Sequence, residues 1–297
     1  MKSLNLIGAG RVGRTLAALW ERERALGIQD VLAATEQGAR SAVAFLGSGT
    51  AVAGLGQMRA ADIWMVATPD RAISESAGKL AATGLLRAGD IVFHCSGAMT
   101  SRDLAAAAQR GACVASVHPL KSFADPHDAV RTFAGTYCAA EGDPAALDVL
   151  CPAFAQIGGR VSIIDTQSKS LYHAASVIVC NYLTALLETG LRCYEQAGLQ
   201  RETARDMMEP LVRETLDNVF RLGTAAALTG PIARGDAQVV AQHLEALAGA
   251  DASMGEVYRS LGAVAVQLAR VQGEADPQAL ERIATFFLIP GVKQERP

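Results

Sequence analysis

The chain has no excess of either charge: 27 Lys and Arg stand against 30 Asp and Glu in 297 residues, a formal net charge of -3 at pH 7. With a pI near 6.0 it carries no electrostatic footprint for a polyanion, so neither nucleic acid nor an anionic membrane surface is an expected partner. Cysteine is scarce and scattered. Cys95, Cys113, Cys138, Cys151, Cys180 and Cys193 form no C-x-x-C pair, and no histidine falls at metal-ligand spacing from them. That spacing excludes a zinc site and a disulfide framework, so no metal is expected and the thiols read as reduced, cytoplasmic ones. No uninterrupted apolar run reaches the length of a bilayer span, and MKSLNLIGAG lacks the apolar region of a signal peptide. What is present is 50% hydrophobic residues, enough to bury the core of one large or two medium domains.

The first half alternates short apolar strands with helical stretches. Leu4 to Ile7, Asp30 to Ala34, Ile63 to Ala67 and Asp90 to His94 are the strand candidates, with a helix over Val12 to Arg24. Cys113 to Val117, Thr136 to Ala140 and Arg160 to Ile164 extend the sheet. From about Ser168 the period changes to a helical one: Ser168 to Gln196, Thr203 to Leu222, Ala237 to Ala248, Asp251 to Gln272 and Pro277 to Phe287. The expected architecture is α/β: an N-terminal Rossmann domain with a doubly wound, mainly parallel sheet over residues 1–165, and an all-α domain over residues 166–297. The Ser168 helix is apolar over much of its circumference, which implies burial against other helices or a second subunit, and so a homodimer.

Gly8-Ala9-Gly10-Arg11-Val12-Gly13 fits G-x-G-x-x-G, follows the first strand at once and opens a helix. Gly8 permits the tight turn, Gly10 lets backbone approach a pyrophosphate, and Gly13 lets the helix pack on the sheet. An NAD site usually ends its second strand on an acid, but here the strand runs out through Ala33-Ala34-Thr35. Thr35, Arg40 and the loop's Arg11 would admit a 2′-phosphate, which favours NADP; a one-residue shift that brings Glu36 to the ribose would favour NAD. Thr68, Pro69, Ser96 and Gly97 fall at the carboxyl ends of later strands and are expected to line the same cleft.

A second feature is LYHAASVIVCN, Leu171 to Asn181, which reads as a buried helix yet holds a histidine and an asparagine. Lys169, His173, Val177 and Asn181 recur every four residues and share one helical face. Two readings stay open: satisfied core polar groups, or a site in which His173 and Asn181, with backbones about 12 Å apart, bracket a substrate of several heavy atoms. His118 and Lys121, after the fifth long strand, are further candidates, the alternative for His118 being a loop-fixing hydrogen bond beside Pro119. Arg234, on the turn Gly230 to Asp236, would clamp a substrate carboxylate unless it merely pairs with Asp236.

The motifs IGAGRVG, HCSGA (His94 to Ala98), SVHPLKSF (Ser116 to Phe123), LYHAASVIVCN and LTGPIARGD (Leu228 to Asp236) resemble those of Rossmann-like proteins whose C-terminal half is a helical domain of unknown function. More broadly the chain is similar to ketopantoate reductase, pyrroline-5-carboxylate reductase and 6-phosphogluconate dehydrogenase. The resemblance implies an NADP-dependent reductase of a small keto acid, such as 2-dehydropantoate, or of a cyclic imine. In those dehydrogenases a lysine and an asparagine one helical turn apart face the nicotinamide. Placing the asparagine at Asn181 puts Val177 where the lysine belongs, which leaves His173 as first candidate for the proton donor, His118 as second, and Ser96 beside the substrate. The alternative is a sensor or regulatory module that binds NADP(H) without chemistry.

Overall fold

Side chains that alternate in direction along each strand build the sheet. In the computed structural model, which describes residues 1–288, the strands are β1 (Lys2–Ile7), β2 (Leu26–Leu32), β3 (Thr50–Val52), β4 (Ile63–Val66), β5 (Ile91–His94), β6 (Cys113–Pro119), β7 (Tyr137–Gly142) and β8 (Arg160–Ile163). They form one sheet in the order β3-β2-β1-β4-β5-β6-β7-β8. Strands β1 to β6 pair in parallel, β7 runs antiparallel to β6, and β8 is parallel to β7. The fold is α/β and Rossmann-like, with its strand order reversing between β1 and β4, where such sheets open their ligand crevice.

Helices α1 (Arg11–Arg22), α2 (Glu36–Leu46), α3 (Ile73–Ala82), α4 (Ala105–Ala108), α5 (Pro126–Arg131) and α6 (Pro144–Gln156) connect the strands, and α7 (Lys169–Val177) follows β8. Successive residues of one strand feed different cores. Leu4 and Leu6 of β1, Ile63 and Met65 of β4, and Ile91 and Phe93 of β5 join Leu16, Trp20 and Phe154 on one face. Ile7, Trp64, Val66 and Val92 face the opposite way, toward Leu80 and Leu104. Trp20 is the hub of the first core: its ring meets Phe154 and Phe93 edge-on at 5.1 and 6.1 Å, and its Nε1 donates to the carbonyl of Ala153 at 3.1 Å.

The second unit is helical, with α8 (Leu183–Gln196), α9 (Arg201–Leu222), α10 (Thr224–Ala227), α11 (Ala237–Ala250), α12 (Ala252–Gln272) and α13 (Pro277–Phe286). Val240, Val266, Leu280, Ile283 and Phe287 form its core. Gly262 leaves room for the Phe287 ring, since a Cβ there would lie 2.5 Å from its Cζ.

Three expectations need correction. The short edge strand β3 escapes the sequence reading because three residues carry too little pattern, and β2 begins earlier than Asp30. The helix from Ser168 is not uniform: a π-helical turn, Ile178–Tyr182, separates α7 from α8. The two compact units divide at Val179 and Cys180, not at 165, because α7 is tied to the sheet. The stretch Thr166–Gln196 is also long and apolar enough to cross a membrane by length and composition, with mean hydropathy 1.4 in its most apolar window. Lys169 near its start argues for another role, being 1% exposed and ion-paired to Glu141 of β7.

Replacing Trp20 with alanine is expected to lower the unfolding free energy by about 3–5 kcal/mol. Urea denaturation measures this, and a loss under ~1 kcal/mol would show that Trp20 is not the hub of that core.

Candidate active site

The glycine loop is built for close approach. Gly8 holds φ +94°, and a Cβ on it would lie 2.7 Å from the carbonyl carbon of Ala67. On Gly13 a Cβ would meet the Gly8 oxygen at 2.8 Å, so the loop and α1 touch the sheet directly. Gly10 caps α1 and leaves the helix N-terminus clear on the cleft side. Gly8, Ala9, Gly10, Thr35, Thr68 and Pro69 line a cleft of about 670 Å³. The Thr68 hydroxyl is buried without a hydrogen-bond partner among the described residues, an orphan that a ligand in the cleft would satisfy.

Thr35 caps α2 by accepting from the Gly38 amide at 3.0 Å. Arg40 is not placed as expected, because it pairs with Glu36 on the exposed side of α2, and Arg11 is exposed while Val12 is half-buried. The guanidinium that does face this cleft is one the sequence reading passed over, Arg14. Its Nε donates to the carbonyl of Ala9 at 2.8 Å, one Nη to the carbonyl of Gly38 at 3.1 Å and the other to Ser41 Oγ at 3.2 Å.

Farther along the sheet, outside the residues that line this cleft and with Ser96 and Gly97 also off its lining, a polar row crosses three strands. His94 of β5 is in register with Ser116 of β6, and Ser116 with Glu141 of β7. Lys169 closes the row from α7: its Nζ donates to Ser116 Oγ and lies 3.3 Å from Glu141 Oε1. The carboxylate also accepts from the Ser101 amide (2.8 Å), the Ser101 hydroxyl (2.7 Å) and the Thr166 hydroxyl (2.8 Å). Burial pushes Glu141 up, but these hydrogen bonds outweigh it and hold the carboxyl below its ordinary value. Burial lowers the Lys169 pKa, with Glu141 opposing.

Strand and helix periods then bring the histidines together. His118 lies two residues beyond Ser116 on the same face of β6, while Tyr172 and His173 lie three and four beyond Lys169 on one face of α7. Tyr172 Oη and His118 Nδ1 are 3.3 Å apart, and the His118 and His173 rings are 6.0 Å apart, edge to face. Both rings turn a nitrogen toward Gly97. A Cβ on Gly97 would lie 2.5 Å from His173 Nδ1 and 2.9 Å from His118 Nε2, and His173 Nδ1 is buried with no partner among the described residues. Both imidazoles therefore pack against the Gly97 backbone, which only a residue without a side chain allows. Burial, then the nearby Lys169 and His173, pushes His118 down to about 4, and burial takes His94 to about 4, so both are neutral at pH 7.

Other candidates fare differently. Ser96 is committed to its own loop, its Oγ accepting from the amides of Ala98 and Met99 at 3.1 and 2.9 Å. Lys121 is not part of the cluster, because its Nζ donates to the carbonyl of Thr132 at the end of α5. Asn181 is exposed within the π turn, where the four-residue spacing from His173 no longer holds one face. A lysine does stand one turn before a polar residue, at Lys169 and His173 and not at Val177 and Asn181. Arg234 is exposed in the helical unit, and Asp236, instead of pairing with it, caps α11 through the Val239 amide at 3.2 Å. Glu141, Ser116, Tyr172 and Arg14 are the site residues the sequence reading missed. Among the described residues no cluster of three or more His, Cys, Asp or Glu is arranged to hold a metal ion.

Residues 2–119 match the Rossmann-like domain family, and residues 136–265 match DUF2520, a domain of unknown function. The first match covers β1 to β6 and the second most of the helices, each under half of the chain. The DUF2520 match begins at the edge of β7 and so takes in Glu141, Lys169 and His173 together with the helices that follow. No curated relative matches the chain. Solved structures share the fold over nearly its whole length. A Thermotoga maritima protein is 24% identical (TM-score 0.66; 95% of this chain and 98% of that one). A candidate NADP oxidoreductase of Bacteroides fragilis is 22% identical (0.65; 92% and 98%), and an imine reductase of Myxococcus stipitatus in complex with NADP+ is 17% identical (0.64; 95% and 99%). At these identities the likeness speaks for the fold alone.

Glu141→Gln would leave the buried Lys169 ammonium without a counter-charge and cost about 3–5 kcal/mol. Adding Lys169→Met should return a large part of that loss, which urea denaturation of the two single variants and the double variant would detect as strong non-additivity; additive losses would mean the pair does not interact. A pH effect follows from the buried imidazoles. Between the ordinary histidine value near 6.5 and about 4, the unfolded chain binds protons that the folded one refuses, so stability falls with pH across that window and levels off below it. The slope of stability against pH should be shallower in His94→Gln, and an unchanged slope would show that His94 does not titrate there.

Proposed function

We propose that this protein is an NADP-dependent reductase of a small carbonyl or imine substrate, with 2-dehydropantoate the first keto acid to try. The observation that carries the proposal is the glycine loop between β1 and α1, held where side chains would collide and opening on a cleft with the buried, unpartnered Thr68 hydroxyl, with the His118 and His173 rings side by side farther along the same carboxyl edge of the sheet. The shared fold of a candidate NADP oxidoreductase and an imine reductase supports the same reading.

The residues fit the cofactor. Gly8 and Gly13 hold backbone where a side chain would collide, and the first amides of α1 would receive a pyrophosphate, helped by the helix dipole. When bound, the dihydronicotinamide supplies the hydride, which leaves the protein to bind, orient and protonate. His173 is assigned the proton, since its Nδ1 has no other partner among the described residues. His118, neutral and braced by Tyr172, would hydrogen-bond the same substrate atom. Lys169 is a positioning residue: its ammonium, tied to Ser116 and Glu141, fixes α7 and thereby His173. A second copy of the chain would cover Leu171, Ile178 and Val179, which are 75, 57 and 70% exposed, and the free cysteines agree with a reducing cytoplasm.

With NADPH and a panel of ketopantoate, pyrroline-5-carboxylate, 2-keto acids and cyclic imines, oxidation at 340 nm is expected for one class of substrate. His173→Ala should then lower kcat by about 10²-fold or more with NADPH affinity unchanged. Tight NADPH binding without turnover of any compound would favour the non-catalytic sensor instead.

A further inference from the structure

Arg14 sits one residue past the last glycine of the loop, in the first turns of α1. Because helical side chains lean toward the N-terminus, its guanidinium swings back over the loop and not out to solvent. There it bridges the Ala9 carbonyl to the first turn of α2, bonding the Gly38 carbonyl and Ser41 Oγ. It thus lies across the gap between the phosphate loop and the end of β2, the place where this fold puts the adenosine ribose. Arg14, Thr35 and Gly38 line the same cleft.

We infer that Arg14 is the residue that reads the 2′-phosphate of NADP and so sets the choice of dinucleotide, an inference that rests on the reading of the cleft as a dinucleotide site. Three of the five guanidinium donors are used in holding the side chain, through Nε and one hydrogen on each Nη. The remaining two, one on each Nη, are left to donate to a phosphate. A side chain already fixed by three bonds loses little freedom on binding.

The surroundings agree. An NAD site needs a carboxylate to accept from the ribose hydroxyls, whereas Ala33, Ala34 and Thr35 follow β2 and the Thr35 hydroxyl already caps α2. Glu36 and Arg40 pair with each other on the exposed side of α2, and neither lines the cleft. Lys79, on the cleft wall, is paired with Glu75 at 2.6 Å.

The alternative is that Arg14 only braces the loop against α2, and binding separates the two. Dissociation constants for NADPH and NADH are measured by nucleotide fluorescence on the full chain, for wild type, Arg14→Ala, Arg14→Gln and Arg40→Ala. Phosphate reading predicts that both Arg14 variants weaken NADPH by about 10-fold or more, one lost contact's worth, with NADH within about twofold of wild type and Arg40→Ala unchanged. The retained NADH affinity also reports that the variants are folded, and Arg14→Gln replaces Arg14→Ala if the latter is not. Equal weakening of both nucleotides would assign Arg14 to bracing, and loss of NADPH selectivity in Arg40→Ala would move the role to Arg40. Unchanged NADPH affinity in the Arg14 variants, with wild type binding well, would overturn this inference alone. Failure of wild type to bind either nucleotide would overturn the dinucleotide reading along with it.

Discussion

A buried ammonium organises this site. Taking Lys169 out of water is costly, and it is tolerated only where a counter-charge and further hydrogen bonds stand ready. Glu141 provides the charge, and Ser101 and Thr166 satisfy the rest of that carboxylate. Because Ser116 and Glu141 are directly opposed across β6 and β7, Lys169 reaches both from a single position. A shift of α7 by one residue would break every one of these contacts. The helix is therefore pinned by polar geometry where apolar packing would have let it slide.

What the pin secures is the place of Tyr172 and His173. They lie within a turn of Lys169, and they meet a strand whose alternate residues, Ser116 and His118, point the same way. The same row of paired residues runs through Ile7, Val66, His94, Ser116 and Glu141 across β1, β4, β5, β6 and β7, changing from apolar to polar as it leaves the centre of the sheet. Polarity thus enters this row on its β5 to β7 side, and the cost of burying it is met by neighbours already in register. Gly97 completes the arrangement, since any side chain there would displace both imidazoles.

How much of this was legible in the sequence depended on whether a residue's role follows from local period. Gly8, Gly10 and Gly13 follow a strand and open a helix, and that context identified the cleft. His118 and His173 stood out as polar residues in apolar settings. Glu141 carried the same kind of signal, a lone acid in the run YCAAEG, where a strand covered on both faces ordinarily has none; it could have been found. Arg14 could not be told from Arg11 by spacing, because the direction of the side chain along α1 decides which of them reaches the cleft. The assignment of Asn181 assumed an unbroken helix. The π turn after Val177 adds a residue to the repeat, and such turns leave little trace in composition.

The cleft and the histidine cluster handle positive charge in opposite ways. At the ribose end a fixed positive charge is kept at the rim, half-exposed, where it can choose between ligands that differ by one phosphate. At the histidine cluster the positive charge is hidden: Lys169 is paired away beneath the surface, and burial together with that charge keeps His118 neutral. A neutral ring nitrogen can accept or donate a hydrogen bond without attracting stray anions, which suits a group meant to meet a carbonyl or imine. On the proposed function, separating the charges in this way would let one sheet edge bind an anionic dinucleotide while leaving the histidine cluster responsive to a single proton.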